Sequence, residues 1–203
     1  MAIEMTPDQK DFITELMNIA MGQAAGSMSE MIDDEVTLSV PHITFISRQE
    51  VIAKFSSHVE GDLSGVAQKI SGTLDGELLL LFPSDKSLSV VEMMMQDTLS
   101  LDGLAELEQE ALCEIGNILL NAVISSLADN LGETFQSSLP GYITGDCGNI
   151  IPGSPLSEEA VLFLQVDFCF AKKSVDGYVI ILMDVDSVDT LLNKVDVCLM
   201  RIA

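Results

Sequence analysis

The chain has 203 residues, 48% of them hydrophobic and 5% aromatic with no Trp, and its 32 acidic against 9 basic residues leave a net charge of −23. Such a charge repels nucleic-acid phosphates and anionic membrane surfaces, which leaves proteins and small molecules as the plausible partner classes. No uninterrupted apolar run reaches the ~18 residues of a membrane span and the amino terminus has no signal-peptide pattern, so a cytoplasmic protein is expected.

The first element expected is a long helix from about Asp8 to Asp33. Thr6 can cap it, Pro7 suits its first turn, and Gln9 completes a Thr-x-x-Gln capping box. Phe12, Ile13, Leu16, Met17, Ala20, Ala24, Met28 and Met31 recur at helical spacing and form its apolar side. At about 100° per residue, Asp11, Glu15, Asn18, Gly22 and Ser29 form a polar stripe opposite. Gly22 and Gly26 each cost a helix interior roughly 1 kcal/mol relative to alanine. Two readings of them stand: a close approach by a partner, or packing against another helix of the same chain.

Strands are expected at Val36 to Val40, Ile43 to Ser47, Val66 to Ile70 and Glu77 to Phe82, with Asp75-Gly76 as the turn between the last two. A helix from about Asp85 to Met95 closes this half. The second half opens with another amphipathic helix, whose buried side is Leu112, Ile115, Leu119, Val123 and Leu127. Its exposed side is Glu110, Glu114, Asn117, Asn121 and Ser125. Strands follow at Val161 to Gln165, Phe168 to Ala171 and Tyr178 to Met183, with Asp176-Gly177 read as a turn, and then a helix near Val188 to Val195. Gly141 to Pro155 gives no clear amphipathic helix. Cys113, Cys147, Cys169 and Cys198 lack a Cys-x-x-Cys pair and are expected to be reduced and mostly buried. His42 and His58 are isolated, and neither a metal cluster nor a nucleophile pair can be assembled.

A sparse pattern recurs across the two halves. Asp11, Glu15, Asn18 and Pro41 return 99 residues later as Glu110, Glu114, Asn117 and Pro140, with 3, 2 and 22 residues between successive members in both copies. This predicts an α+β fold built from an internally duplicated helix-strands-helix unit, with a mainly antiparallel sheet and the two long motif helices on one face. Residues 1–203 then form a single domain of two pseudo-symmetric halves, about 1–100 and 101–203.

The pattern Asp-xxx-Glu-xx-Asn-x22-Pro, used twice on two helices of an acidic chain of this length, resembles the CheC-type phosphatases of bacterial chemotaxis, within the CheC/CheX/FliY group. The closest short matches are Glu114-Ile-Gly-Asn117-Ile and Glu15-Leu-Met-Asn18-Ile. The resemblance implies hydrolysis of the aspartyl phosphate of a CheY-type response regulator. On it, Glu15 and Glu114 are the anchoring acids, Asn18 and Asn117 the catalytic amides, and Asp11 and Glu110 supporting acids. Glu110 departs from the family's usual Asp or Ser. Pro41 and Pro140 are structural members of the motif, since proline fixes the chain direction and has no donor. The phosphorylated CheY-like receiver domain is the implied partner, and the deamidase CheD, bound by some members, is a further candidate. No cofactor or metal of the chain's own is implied; a divalent metal, Mg2+, is expected on the phosphorylated partner. The alternative is a non-catalytic adaptor that binds a chemotaxis or flagellar-switch protein through the same faces.

Overall fold

The computed structural model describes residues 4–59, 61–94, 104–151, 159–170 and 173–202. Helix α1 (Pro7–Ile32) begins at the expected cap. The Thr6 amide donates to Gln9 Oε1 (2.9 Å) and the Gln9 amide to Thr6 Oγ1 (3.2 Å), satisfying two of the amides that a helix start leaves open. The chain continues through β1 (Val36–Ser47), α2 (Arg48–His58), β2 (Leu63–Gly72), β3 (Gly76–Pro83) and α3 (Ser84–Met94). The second half runs α4 (Leu104–Leu131), β4 (Phe135–Ser137), β5 (Gly141–Gly145), α5 (Cys147–Ile150), β6 (Glu159–Phe170), β7 (Lys173–Asp184) and α6 (Val185–Ile202).

One antiparallel sheet of seven strands joins the halves, in the order β1-β6-β7-β3-β2-β4, with β5 also paired to β2. Neither half carries a sheet of its own: β1 lies beside β6 from the second half, and β4 and β5 lie beside β2 from the first. Alternation along the central strands sorts their side chains to two faces. Leu78, Leu80 and Phe82 of β3 and Val179, Ile181 and Met183 of β7 join the core under α1, α3, α4 and α6. Leu79, Leu81, Ile180 and Leu182 face the other way, toward α2 and α5. The two long helices thus lie on the same side of the sheet.

They also pack on each other. Ser126, 2% exposed, donates from its hydroxyl to the Leu16 carbonyl (2.9 Å). Gln9 fixes the start of α1 a second time, its Nε2 donating to Asp196 Oδ1 on α6 (2.9 Å). By length and composition one described stretch, Glu106–Leu131, is apolar enough to cross a membrane, but half of its most apolar window is buried inside the fold. Its Leu and Ile side is the side that covers the sheet.

Several expectations need correcting. Val36–Val40 and Ile43–Ser47 are one strand, β1, whose pairing with β6 shifts register between Ser39 and His42, around Pro41. Pro140 falls in the break between β4 and β5 at the opposite edge. Both prolines therefore interrupt an edge strand, where a missing amide costs least. Asp176-Gly177 is not a turn: the two residues pair with Asp167 and Val166 inside β7. A Cβ on Gly177 would stand 2.6 Å from the Phe168 ring and 2.7 Å from the Phe82 ring. Close aromatic packing, not chain reversal, accounts for that glycine. Helix α2, strands β4 and β5 and the short α5 were not expected; Pro152 to Pro155 lie outside the described residues, as does Met95 of the expected Asp85 to Met95 helix.

Candidate functional site

On α1, Asp11, Glu15, Asn18 and Gly22 are all exposed and form the expected outward stripe. Ile13, Leu16, Met17, Ala20, Ala24 and Met28 are buried beneath it. Ser29 does not belong to the stripe, because its hydroxyl turns back to donate to Ala25 O (2.8 Å) and accept from the Val36 amide (2.9 Å). Met31 is 45% exposed and lies off the core. Added Cβ atoms at Gly22 and Gly26 would meet nothing within 4 Å. Packing against another described helix therefore does not explain them.

On α4, Glu110, Glu114 and Ser125 are exposed while Asn117 and Asn121 are half-buried. Leu112, Ile115, Leu119, Val123 and Leu127 are buried as expected. Gly116, between Glu114 and Asn117, sits directly on the sheet: a Cβ there would lie 2.8 Å from Val66. At the equivalent place α1 has Met17, itself buried. The glycine lets α4 come down onto β2, and this brings a second feature within reach. Asn121 Nδ2 donates to Asn117 Oδ1 (2.8 Å), and Asn121 Oδ1 accepts from Gln68 Nε2 (3.0 Å), which also donates to Ser138 O (2.9 Å). Gln68 is 2% exposed and its Oε1 has no hydrogen-bond partner among the described residues.

The two motifs are set apart along an antiparallel helix pair. Leu16 of α1 meets Ser126 of α4, whereas Gln23, Ala24 and Ser27 share a groove of about 340 Å³ with Asn117, Asn121 and Ser125. With a rise of 1.5 Å per residue, Asn18 and Asn117 are displaced along the pair by about 10 Å. Among the described residues Asp11, Glu15, Asn18, Glu110 and Glu114 make no side-chain hydrogen bond or ion pair within the chain. Their polar groups are left to water or to a partner.

Other chemistry lies elsewhere or is absent from what is described. No group of three or more His, Cys, Asp or Glu is placed to hold a metal among the described residues. Cys147 and Cys198 are buried, Cys113 is half-buried and Cys169 is exposed, all as free thiols. Burial pushes the Cys147 thiol up to about 11 and raises that of Cys113, which suits packing and not nucleophilic attack. His42 is held below its ordinary value by partial burial and then by Lys54 and Lys10. Lys194 and Thr73 bind the Glu133 carboxylate, tying the end of α4 to α6 and holding its pKa low.

Two family models match the chain. The one described as CheC-like family covers residues 9–44, which hold Asp11, Glu15, Asn18 and Pro41. The one described as chemotaxis phosphatase CheX covers residues 64–163, which hold Glu110, Glu114, Asn117 and Pro140. Among curated relatives, the CheY-P phosphatase CheC of Bacillus subtilis is 24% identical over 136 residues, a match spanning 66% of this chain and 65% of that protein. CheC1 of Halobacterium salinarum is 22% identical over 186 residues, 90% of this chain and 94% of that protein. Of solved structures, Thermotoga maritima FliY has a TM-score of 0.75 at 22% identity, covering 96% of this chain and 98% of that one. The FliM middle domain of Helicobacter pylori has a TM-score of 0.65 at 10% identity, covering 94% and 99%. CheX in a complex with CheY, BeF3 and Mg2+ from Borrelia burgdorferi has a TM-score of 0.51 at 16% identity, covering 81% and 96%. Family models that take in both copies of the motif, relatives across most of the length and a shared antiparallel α+β fold lead to one assignment: the chain belongs to the CheC-type family of chemotaxis phosphatases.

Proposed function

We propose that this protein hydrolyses the aspartyl phosphate of a CheY-type receiver domain, with Asn18 and Asn117 orienting the attacking water and Glu15 and Glu114 anchoring the partner. An aspartyl phosphate is a reactive mixed anhydride, and a receiver domain brings its own divalent metal and lysine to hold the phosphoryl oxygens. The slow step is placing water in line with the breaking bond, which an inserted carboxamide accelerates by positioning alone. Asparagine both accepts and donates without taking on charge. A glutamate one turn earlier pairs with a cation on the partner and sets the register of the helix. Asp11 and Glu110, one turn further back, add local negative charge on the same side. No metal on this chain enters the scheme; Mg2+ belongs to the phosphorylated partner.

The observation that carries this reading is the pair of outward Glu-xx-Asn faces on neighbouring helices, whose acids make no ion pair among the described residues. The names of the CheC relatives and the CheX–CheY complex point the same way. A second reading is a non-catalytic adaptor, favoured by the likeness to the FliM middle domain. Fold alone does not separate the two. Release of inorganic phosphate from a phosphorylated CheY-type receiver domain in Mg2+ does: the phosphatase reading expects the protein to accelerate it catalytically, whereas an adaptor binds the receiver and leaves its own rate of dephosphorylation unchanged.

A further inference from the structure

We propose that Asn121 and Gln68 are positioning residues that fix the amide of Asn117 in one orientation, making the second Glu-xx-Asn face preorganised where the first is not. This rests on the phosphatase reading for its consequence, though not for its geometry.

An amide side chain has two nearly isosteric ends, so an exposed asparagine presents either its oxygen or its nitrogen. Along α4 that freedom is removed from a fixed point. The Ser138 carbonyl, two residues before Pro140, can only accept. Its position is set by the Ser138 amide donating to Lys69 O (2.9 Å) and the Lys69 amide donating to Ser138 Oγ (3.0 Å). Gln68 must therefore turn Nε2 toward Ser138 O, and the same nitrogen then meets Asn121. Asn121 has to answer with Oδ1, which directs its Nδ2 to Asn117 Oδ1. With Oδ1 held from behind, Asn117 turns Nδ2 outward and keeps one lone pair of Oδ1 free beside it.

The orphaned Gln68 Oε1 supports this account. Leaving a buried acceptor unpaired is costly, and a glutamine at a position where the described core residues of β6 on the same side of the sheet are Leu162, Leu164, Val166 and Phe168 is not explained by packing. Among the described residues nothing equivalent supports Asn18, which has Gly22 one turn later where Asn117 has Asn121. The outward sense of the Asn117 amide thus depends on residues that do not touch the reacting atoms.

Asn121→Asp tests it. The carboxylate still accepts from Gln68 but cannot donate to Asn117, so the Asn117 amide is driven to turn over. In an Asn18→Ala background, where only the second face works, the variant is expected to lose about tenfold in kcat with KM within about twofold, the pattern of lost orientation and intact docking. The 15N–1H resonances of the Asn117 side-chain amide, read without partner, should shift, and Asn121→Gly should lower kcat in the same way. An unchanged kcat in Asn121→Asp overturns the proposal, as does an inactive Asn18→Ala parent when the wild type is active. If the wild type itself releases no phosphate, the phosphatase reading falls; the amide resonances then decide the relay alone, and unmoved resonances overturn it.

Discussion

The outer faces of α1 and α4 carry matching acid, glutamate and asparagine at matching intervals, yet they are supported differently. Asn18 stands exposed above a helix whose next turn is a glycine facing open space. Asn117 is half-buried, held by Asn121, and α4 is lowered onto Val66 by Gly116. A sparse motif specifies which side chains point outward. It does not specify how firmly they are held, and firmness decides how much orienting entropy remains to be lost when water is placed.

The largest effect expected is on docking. Replacing Glu15 and Glu114 together by Gln keeps shape and removes charge, and a shielded, charge-assisted contact of about 1.5–3 kcal/mol corresponds to roughly a ten- to hundredfold weaker Kd. Titration of a receiver domain at low salt measures it. The −23 background repels an acidic partner at long range, so the wild-type salt response can take either sign. The difference is diagnostic: the Gln variant should lose less affinity than wild type as salt is added. Equal binding by both proteins at low salt would mean that these glutamates are merely solvated.

Gly116→Ala comes next and bears on α4 alone. Its Cβ collides with a β-branched side chain in the core, an overpacking cost of about 1–3 kcal/mol in urea unfolding, and the lifted helix should weaken the Asn121–Gln68 contact. Unchanged stability would show that α4 has slack above β2. The asparagines then separate the faces by rate. If the held amide does most of the work, Asn117→Ala lowers phosphate release by about tenfold and Asn18→Ala by less than about twofold. Equal losses would say that preorganisation adds nothing.

The smallest effect is on α1. Gly22→Ala has room for its methyl and should stabilise the protein by roughly 1 kcal/mol in thermal or urea unfolding. If a partner approaches that face closely, the same change weakens its binding. A stabilised variant with undiminished affinity would leave the glycine unexplained.

The long helices were legible because periodicity and a capping box act locally, and the outward motif followed from the same period. Strand β3 was legible for a similar reason, since Asp75-Gly76 does mark the reversal after β2, a reversal that ends at Asp75 with Gly76 already paired as the first residue of β3. The relay was not, because Gln68 meets partners 53 and 70 residues away. No local rule marks a glutamine in a strand as a support for an asparagine on a distant helix. Gly177 misled because a glycine required by two phenylalanine rings looks in sequence like one required by a turn. Helix α2 left a usable trace in Ser47 and Glu50, a capping box with the Ser47 amide donating to Glu50 Oε2 (2.7 Å), followed by buried Val51 and Phe55. Strands β4 and β5 left little, being three and five residues long and separated at Pro140.

The proposed function divides the labour: the two amides carry the chemistry while the acids carry the docking. Its most direct test is phosphate release from a phosphorylated CheY-type receiver by the Asn18→Ala, Asn117→Ala double variant, with receiver binding measured alongside. Release is expected to fall to the rate of the receiver alone while affinity stays within about threefold of wild type, because on this function the amides act on water in the transition state and Glu15 and Glu114 remain. Release at the wild-type rate by the double variant would contradict it.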